Sequence, residues 1–486
     1  MASKLVLAVI DGLKPSMLER AVATGRAPTL RAIMERGSYV DDCVAAFPSV
    51  TPTCAATIAT GVGPDEHHIP SMNWYLRAER RYVEYGSSFS ASRRFGLTRQ
   101  LTDTVYNMNG AHLSKGVRTV FEALDDAGLR TAGTTYLMYR GRHRHEVARD
   151  TALARMAGAL FRHPVLGPRE LFYADIFASR RTPCRSQLGM PGVRDRHAGC
   201  VGAYLVEHDL FDFLLLSLPD NDTHSHKFGP HAQVESIAAA DRQLERLMHP
   251  AGGPDAFLDE HAVIVMADHS HAPVESTLAL TDVFHDFSIA GPGGTRATEA
   301  EIAVCPAQRS GMVYALVEEG RRALLPRLVE TARAADGVDL VLWHPSRDEA
   351  AIARGEAELR FAPDGALADA RGATWSVEGD AAAVLGGTER DGVLHAPDYP
   401  DALARAWSAL TCPTAGDVLL SAAPNWEFVD WGGVAHVGGG SHGSLHAVDS
   451  LGALLWSGTG PDGRGEREQW SLRDVAPMIT HHFGVS

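Results

Sequence analysis

KLVLAVIDG, residues 4–12, is an unbroken apolar run that stops on an Asp-Gly turn. A strand with one wet face alternates apolar and polar residues, so a run without alternation marks a strand covered on both faces. Helix-compatible stretches follow over 14–23 and 29–36. The same order recurs further along: a helix over 117–127 precedes a strand over 131–136, one over 197–207 precedes 211–218, and one over 234–247 precedes 261–267. The expected fold is α/β, with a mainly parallel central sheet sandwiched by helices. In such sheets ligands sit beyond the carboxyl ends of the strands. Asp11, Asp220, Asp222 and Asp268 all follow expected strands, so they can converge at one edge.

At 486 residues the chain exceeds what one core usually holds. The expected division is a core of 1–290 and 430–486, carrying an inserted cap subdomain at 291–429. Order is expected to be weaker between His269 and His442, where stretches such as 362–372 are rich in Gly, Ala and Asp. A second irregular region, about 77–113, is expected to form a smaller insertion, and no internal repeat is found.

With 60 acidic against 45 basic residues the formal charge is −15, which disfavours binding to nucleic-acid polymers or anionic membranes. The first apolar run is interrupted at Asp11, short of a signal sequence, and no window approaches the ~18 apolar residues of a membrane span. A soluble, cytoplasmic protein is expected. Its six cysteines show no zinc-ribbon spacing and are read as reduced thiols.

Five motifs carry the chemistry. Asp11 closes the first strand, as a helix cap or a metal ligand. In FPSVTPTCAATIATG, Thr51 precedes Pro52 and an Ala-rich run, the pattern of a helix start. A helix N-terminus presents free amides to a phosphoryl oxygen, and a hydroxyl there becomes a nucleophile if a metal lowers its pKa. Thr53 is the rival hydroxyl. LPDNDTHSHKFGP places Asp220, Asp222, His224 and His226 within seven positions, a carboxylate-imidazole set suited to Zn²⁺ or a similar divalent ion. VIVMADHSH ends the most apolar strand on Asp268 and His269, and GGGSHGSLH sets His442 in a glycine-rich loop.

Together and in this order, these motifs resemble the nucleotide pyrophosphatase/phosphodiesterase branch of the alkaline phosphatase superfamily. The resemblance implies two divalent metal ions, Zn²⁺ first with Mn²⁺ or Mg²⁺ as alternatives. One would be held by Asp222, His226 and His442, the other by Asp11, Thr51, Asp268 and His269. HKFGP, similar to the family's H-K-Y-G-P, sets the register, leaving Asp220 and His224 as supporting residues. PDEHHIPSMNWY resembles P-E-S-H-G-I followed by an Asn, which makes Asn73 the side chain that contacts a non-bridging phosphoryl oxygen. His68 departs from the family's usual Gly.

The implied function is hydrolysis of a small phosphorylated substrate, such as a nucleotide, through a phosphothreonine at Thr51, with phosphodiesters preferred. The monoester-specialised alkaline phosphatases place an Asp before the nucleophile and an Arg after it. Here Val50 precedes Thr51, and Pro52, Thr53, Cys54, Ala55 and Ala56 follow. Trp74 and Tyr75 are offered as a surface for a base. The basic cluster YRGRHRHE, Arg140 to His145, is either a solvated face or a site for a second anionic group. Rival readings are a phosphomonoesterase, a phosphonate hydrolase, a phosphomutase, and a non-catalytic metal- or ligand-binding protein. Oligomeric state is not inferred.

Overall fold

The computed structural model describes residues 3–147, 161–174, 176–185, 190, 192–292, 300–317, 321–461 and 467–485. Its centre is an eight-stranded sheet in the order Ser38–Val44, Leu451–Ser457, His261–Met266, Lys4–Ile10, Phe213–Leu218, Thr131–Thr134, Glu170–Tyr173, Phe177–Ala178. The five strands from His261–Met266 to Glu170–Tyr173 run parallel, and the outer pairings on both sides are antiparallel.

The first strand shows why its run is unbroken. Leu5, Leu7 and Val9 enter one apolar cluster with Phe213, Leu215 and Ile264, while Val6, Ala8 and Ile10 enter another with Leu214, Leu216 and Val265. Successive side chains point to opposite faces, so a sheet covered on both sides needs an apolar residue at every position. Each such burial contributes about 1.5–3 kcal/mol, and truncating Leu7 to Ala should cost about 2–5 kcal/mol.

The covering helices follow the expected order with small boundary shifts. Pro15–Ala23 and Pro28–Arg36 start with proline in the first turn, where no amide hydrogen is required. Val120–Asp126 is opened by Thr119 and Glu122, each bonding the other's backbone amide. Val234–Met248 buries Ile237, Ala240, Leu244 and Leu247, a stripe at helical spacing that faces the sheet. Helix Pro254–Glu260, just before strand His261–Met266, is an addition to the expected order.

Three expectations are corrected. Residues 77–113 are not irregular: they hold strand Arg81–Glu84, helices Phe89–Phe95 and Leu97–Thr102, and a π-helical stretch Asp103–His112. Nor are the described residues between His269 and His442 short of regular structure. Their strands build a second sheet of nine, nearly all antiparallel, running Ile302–Ala307, Ser310–Ala315, Val418–Ala422, Val338–Ser346, Glu349–Arg354, Ala357–Asp369, Val393–His395, Thr388–Arg390, with Thr374–Gly379 also on Ala357–Asp369. One apolar cluster runs from Leu5 and Phe213 through Tyr75 and Tyr82 to Tyr314, Leu342 and Leu419, so the two sheets share packing. Finally, Cys184 and Cys200 form a disulfide, while Cys43, Cys54, Cys305 and Cys412 are free and buried.

Among the described residues no helix is long and apolar enough to cross a membrane.

Candidate metal centre

Three neighbouring parallel strands end level: Ile10 pairs with Leu218, and Val9 with Met266. The chain therefore delivers Asp11, the helix Asp220–Phe228 and the segment Asp268–His271 to one edge. Gly12 allows the close turn. Its φ is +67°, and a Cβ there would lie 2.6 Å from the His271 ring.

Asp222 and His226 stand one turn apart on the helix, so both face the same way, with Asp222 Oδ1 3.2 Å from His226 Nε2. His271 Nε2 lies 3.0 Å and His442 Nε2 3.5 Å from that same oxygen. Asp220 faces elsewhere: it accepts from Arg194 Nε at 2.9 Å and from the Asp195 amide at 3.1 Å. His224 likewise turns away, to the Ala232 carbonyl. On the other side, His269 Nε2 is 3.4 Å from Asp11 Oδ1 and 3.6 Å from Asp268 Oδ2. Asp268 uses Oδ1 to accept the Gly12 and His269 amides.

Thr51 opens helix Thr51–Thr60, with Val50 rather than Thr51 at the cap position. Its Oγ1 lies 3.3 Å from His269 Nε2. Thr53 is fully buried with its hydroxyl unpartnered, and burial pushes the Cys54 thiol well above its ordinary value.

Three backbone contacts orient the imidazoles. Nδ1 of His226 meets the Gly440 carbonyl at 2.8 Å, that of His269 the Ser270 carbonyl at 3.0 Å, and that of His442 the Ser49 carbonyl at 2.8 Å. A carbonyl only accepts, so each Nδ1 carries a hydrogen and each Nε2 is the ring nitrogen that faces inward, free to ligate from the neutral ring. This is how ligating histidines are held. The charges fit the same reading. Burial, then the neighbouring Asp268 and Asp222 carboxylates, push the Asp11 carboxyl well above its usual range, and its Oδ1 has no hydrogen-bond donor. Burial works on Asp222 in the same direction, but His226, His271 and His442 outweigh it and hold that carboxyl well below. Burial, then His269, depresses His442 to about 3. Buried carboxylates and inward-facing imidazole nitrogens make a donor set that suits divalent cations.

Two donor groups emerge: Asp222, His226, His271 and His442, and Asp11, Asp222 and His269, each with its donor atoms within 4.8 Å of one another. Asp222 belongs to both. His271 was not among the expected ligands, although it stands in the quoted motif two residues beyond His269, the spacing that returns an extended chain to the same side.

A family model described as "Type I phosphodiesterase / nucleotide pyrophosphatase" matches residues 5–445. The chain belongs to this family. It is a metal-dependent phosphoric ester hydrolase. Similar solved structures include phosphonoacetate hydrolase from Sinorhizobium meliloti 1021 in complex with phosphonoformate, at 17% identity and TM-score 0.54. Human ectonucleotide pyrophosphatase/phosphodiesterase 5 is similar at 12% identity and TM-score 0.57. An inactive variant of the murine counterpart, in complex with AMP, is similar at 11% identity and TM-score 0.56. Each comparison covers 99% of this chain and 95% of the other, and at these identities they show the shared fold. No curated protein matches the chain.

Against this family background, three expected substrate contacts sit differently. Asn73 is fully buried in the hairpin Asn73–Leu76/Arg81–Glu84, and its Nδ2 donates to the Val83 carbonyl at 3.1 Å and Glu84 Oε2 at 3.0 Å. Both amide hydrogens are thus committed away from Thr51, and Oδ1 can only accept. Trp74 and Tyr75 are core residues at 1% and 3% exposure, edge-on to His112 and Tyr82, so neither offers a face to a base. The basic cluster is neutralised locally: Arg140 meets Glu122, Arg142 meets Glu122 and Asp126, His143 meets Asp125, and Arg144 meets Glu146.

Proposed function

We propose that the enzyme cleaves phosphodiesters of small molecules through a covalent phosphothreonine at Thr51, with 291–429 as an inserted subdomain beside the site. The observation that carries this reading is the approach of Thr51 Oγ1 to His269 Nε2, 3.3 Å, at a helix start bordering both donor groups. Asp222, His226, His271 and His442 would hold one cation, and Asp11, His269, Asp268 and Thr51 the other. When bound, such ions supply Lewis-acid charge that favours the threonine alkoxide and offsets charge on the phosphoryl and leaving oxygens. Thr51 Oγ1 then forms a bond to phosphorus, one ester P–O bond breaks, and the hydroxyl proton ends on the departing alcohol. Water next breaks the Oγ1–P bond, releasing the phosphomonoester and restoring Thr51. The free amides of the helix start orient the phosphoryl oxygens meanwhile.

The preference for diesters is supported by the helix itself. TPTCAATIAT carries no charged side chain, and Pro52 through Ala59 are buried. A monoester dianion would gain nothing there that a diester monoanion lacks.

Thr51→Ala should lose nearly all turnover of bis-p-nitrophenyl phosphate yet fold, since Val50 rather than Thr51 holds the cap position and alanine is the better helix former. Acid quenching followed by peptide mass spectrometry should find phosphate on Thr51. A fully active Thr51→Ala enzyme would sink the nucleophile assignment. A clear kcat/KM advantage for p-nitrophenyl phosphate over the bis ester would overturn only the diester preference. Because phosphonoacetate hydrolase shares the fold, phosphonoacetate belongs in the same panel.

A further inference from the structure

The second sheet touches the metal centre through one turn. Strands Ile302–Ala307 and Ser310–Ala315 form a hairpin whose turn residues are Gln308 and Arg309. The Arg309 amide donates to the His442 carbonyl at 2.9 Å, which pins the turn against the ligand loop. Gln308 stands at φ +60°, in the left-handed region that an unbranched polar residue enters only at a cost. Glycine would adopt that conformation without strain.

The Gln308 side chain is almost wholly buried, at 8% exposure, and Nε2 lies 3.4 Å from His226 Nε2. Its Oε1 is buried without any partner. His226 turns its Nδ1 to the Gly440 carbonyl, so Nε2 is the ring atom that meets the carboxamide, and its lone pair is the acceptor the carboxamide finds in the neutral ring. The same lone pair is the one His226 would commit to a cation. Once it is committed, the amide hydrogen of Gln308 loses its acceptor and has to find an oxygen in the site. A strained backbone and a displaceable partner at a buried carboxamide have no structural explanation in common. A carboxamide held for substrate accounts for both.

We infer that Gln308 is a substrate-binding residue, donating from Nε2 to a non-bridging oxygen of the phosphoryl group at the Asp222 side of the centre. The role is the one expected of Asn73, whose amide is committed to its own hairpin. This inference rests on the reading of Thr51 as nucleophile, and the test separates the two. Gln308→Met keeps the length and removes the polar atoms. Gln308→Gly removes the side chain and relieves the backbone. Each would be compared with wild type for kcat and KM on bis-p-nitrophenyl phosphate, inhibition by inorganic phosphate, bound zinc per chain, and melting temperature after chelation.

Both variants should lose about tenfold in kcat/KM, the scale of one charge-assisted hydrogen bond, with a matching weakening of phosphate inhibition. Zinc per chain should be unchanged. The chelated glycine variant should melt no lower than wild type, whereas a residue with a merely structural role would lower it. If kinetics and phosphate inhibition stay within about twofold while Thr51→Ala is inactive, the inference is overturned and the nucleophile reading stands. Loss of zinc on Gln308→Met would also overturn it, by making the carboxamide a support for the metal. If Thr51→Ala is active, the underlying reading falls and takes this one with it.

Discussion

The two sheets are of similar size but serve the centre unequally. All seven expected metal-binding residues, and His271 with them, follow strands of the eight-stranded sheet or stand in the loop leading back into it. The nine-stranded sheet reaches the centre through the turn at Gln308 and Arg309. Strand direction explains the difference. Parallel neighbours all finish at one edge, so each crossover begins where the previous one did and the side chains that follow converge. Antiparallel neighbours finish at alternate edges, which leaves one turn in two on any given side.

The largest expected effect in this comparison comes from the residue the motif reading passed over. His271 is fully buried, bonds Asp222 at 3.0 Å, and leaves Nδ1 without a partner. His271→Ala should lower zinc affinity or turnover by at least about 10- to 100-fold, the range for losing a group that only orients a ligand. Phe361→Ala, in the second sheet beside Trp375 and Trp407, is its counterpart. That change should cost about 3–5 kcal/mol of stability and leave turnover per folded molecule intact. Equal loss of turnover in both variants would break the division of labour. Activity after active-site titration, alongside denaturant melts, reads the two effects separately.

A smaller effect is expected where the sheets meet. Gly443 has φ +123°, and a Cβ there would lie 3.1 Å from the Ala307 carbonyl oxygen and 3.2 Å from the amides of Arg309 and Ser310. These are backbone atoms that cannot swing aside. Gly443→Ala should cost about 1–3 kcal/mol and lower kcat/KM several-fold, because the turn and the His442 loop must part. Unchanged kinetics in this variant would show that the second sheet does not position the centre.

What was legible in the sequence follows the same line. After Lys4 and His261, the strands LVLAVI and AVIVM are apolar at every position, so they declared strands buried on both faces, and the Asp residues after them declared the edge. The second sheet lacks that signature. Ala357–Asp369 mixes buried Leu359 and Phe361 with exposed Arg360, Pro363 and Asp364, and it breaks register against Thr374–Gly379 between Pro363 and Leu367, so its period is interrupted. The pairing of Cys184 with Cys200 depends on which surfaces the fold brings together, and spacing alone does not carry it. Asn73 shows the opposite failure. Its motif marks a place in the chain, but the hairpin that consumes its amide is built by Val83 and Glu84, eleven residues on at most.

The smallest effects are expected from the residues that look most suited to an anion. Arg142 and Arg144 stand in a row of positive charge, yet Arg142 Nη2 lies 2.8 Å from Asp126, Arg144 Nη2 lies 2.8 Å from Glu146, and both arginines are substantially exposed. Exposed pairs of this kind contribute about 0–1 kcal/mol, being screened by water and salt. Arg144→Gln should therefore alter stability by no more than that, Arg142→Gln by more because it also meets the buried Glu122, and neither should change KM for any anionic substrate. Arg140 differs, because it is buried with Glu122 and also caps the Leu113, Ser114 and Val117 carbonyls. Arg140→Gln removes one of the two arginine partners of the buried Glu122 and leaves several carbonyls without their donor, and should cost about 1–3 kcal/mol without a selective rise in KM. A rise in KM for phosphodiesters in the Arg142 or Arg144 variant, at unchanged melting temperature, would return this cluster to the substrate. It would also show that charge from outside both sheets' contacts with the centre takes part in binding.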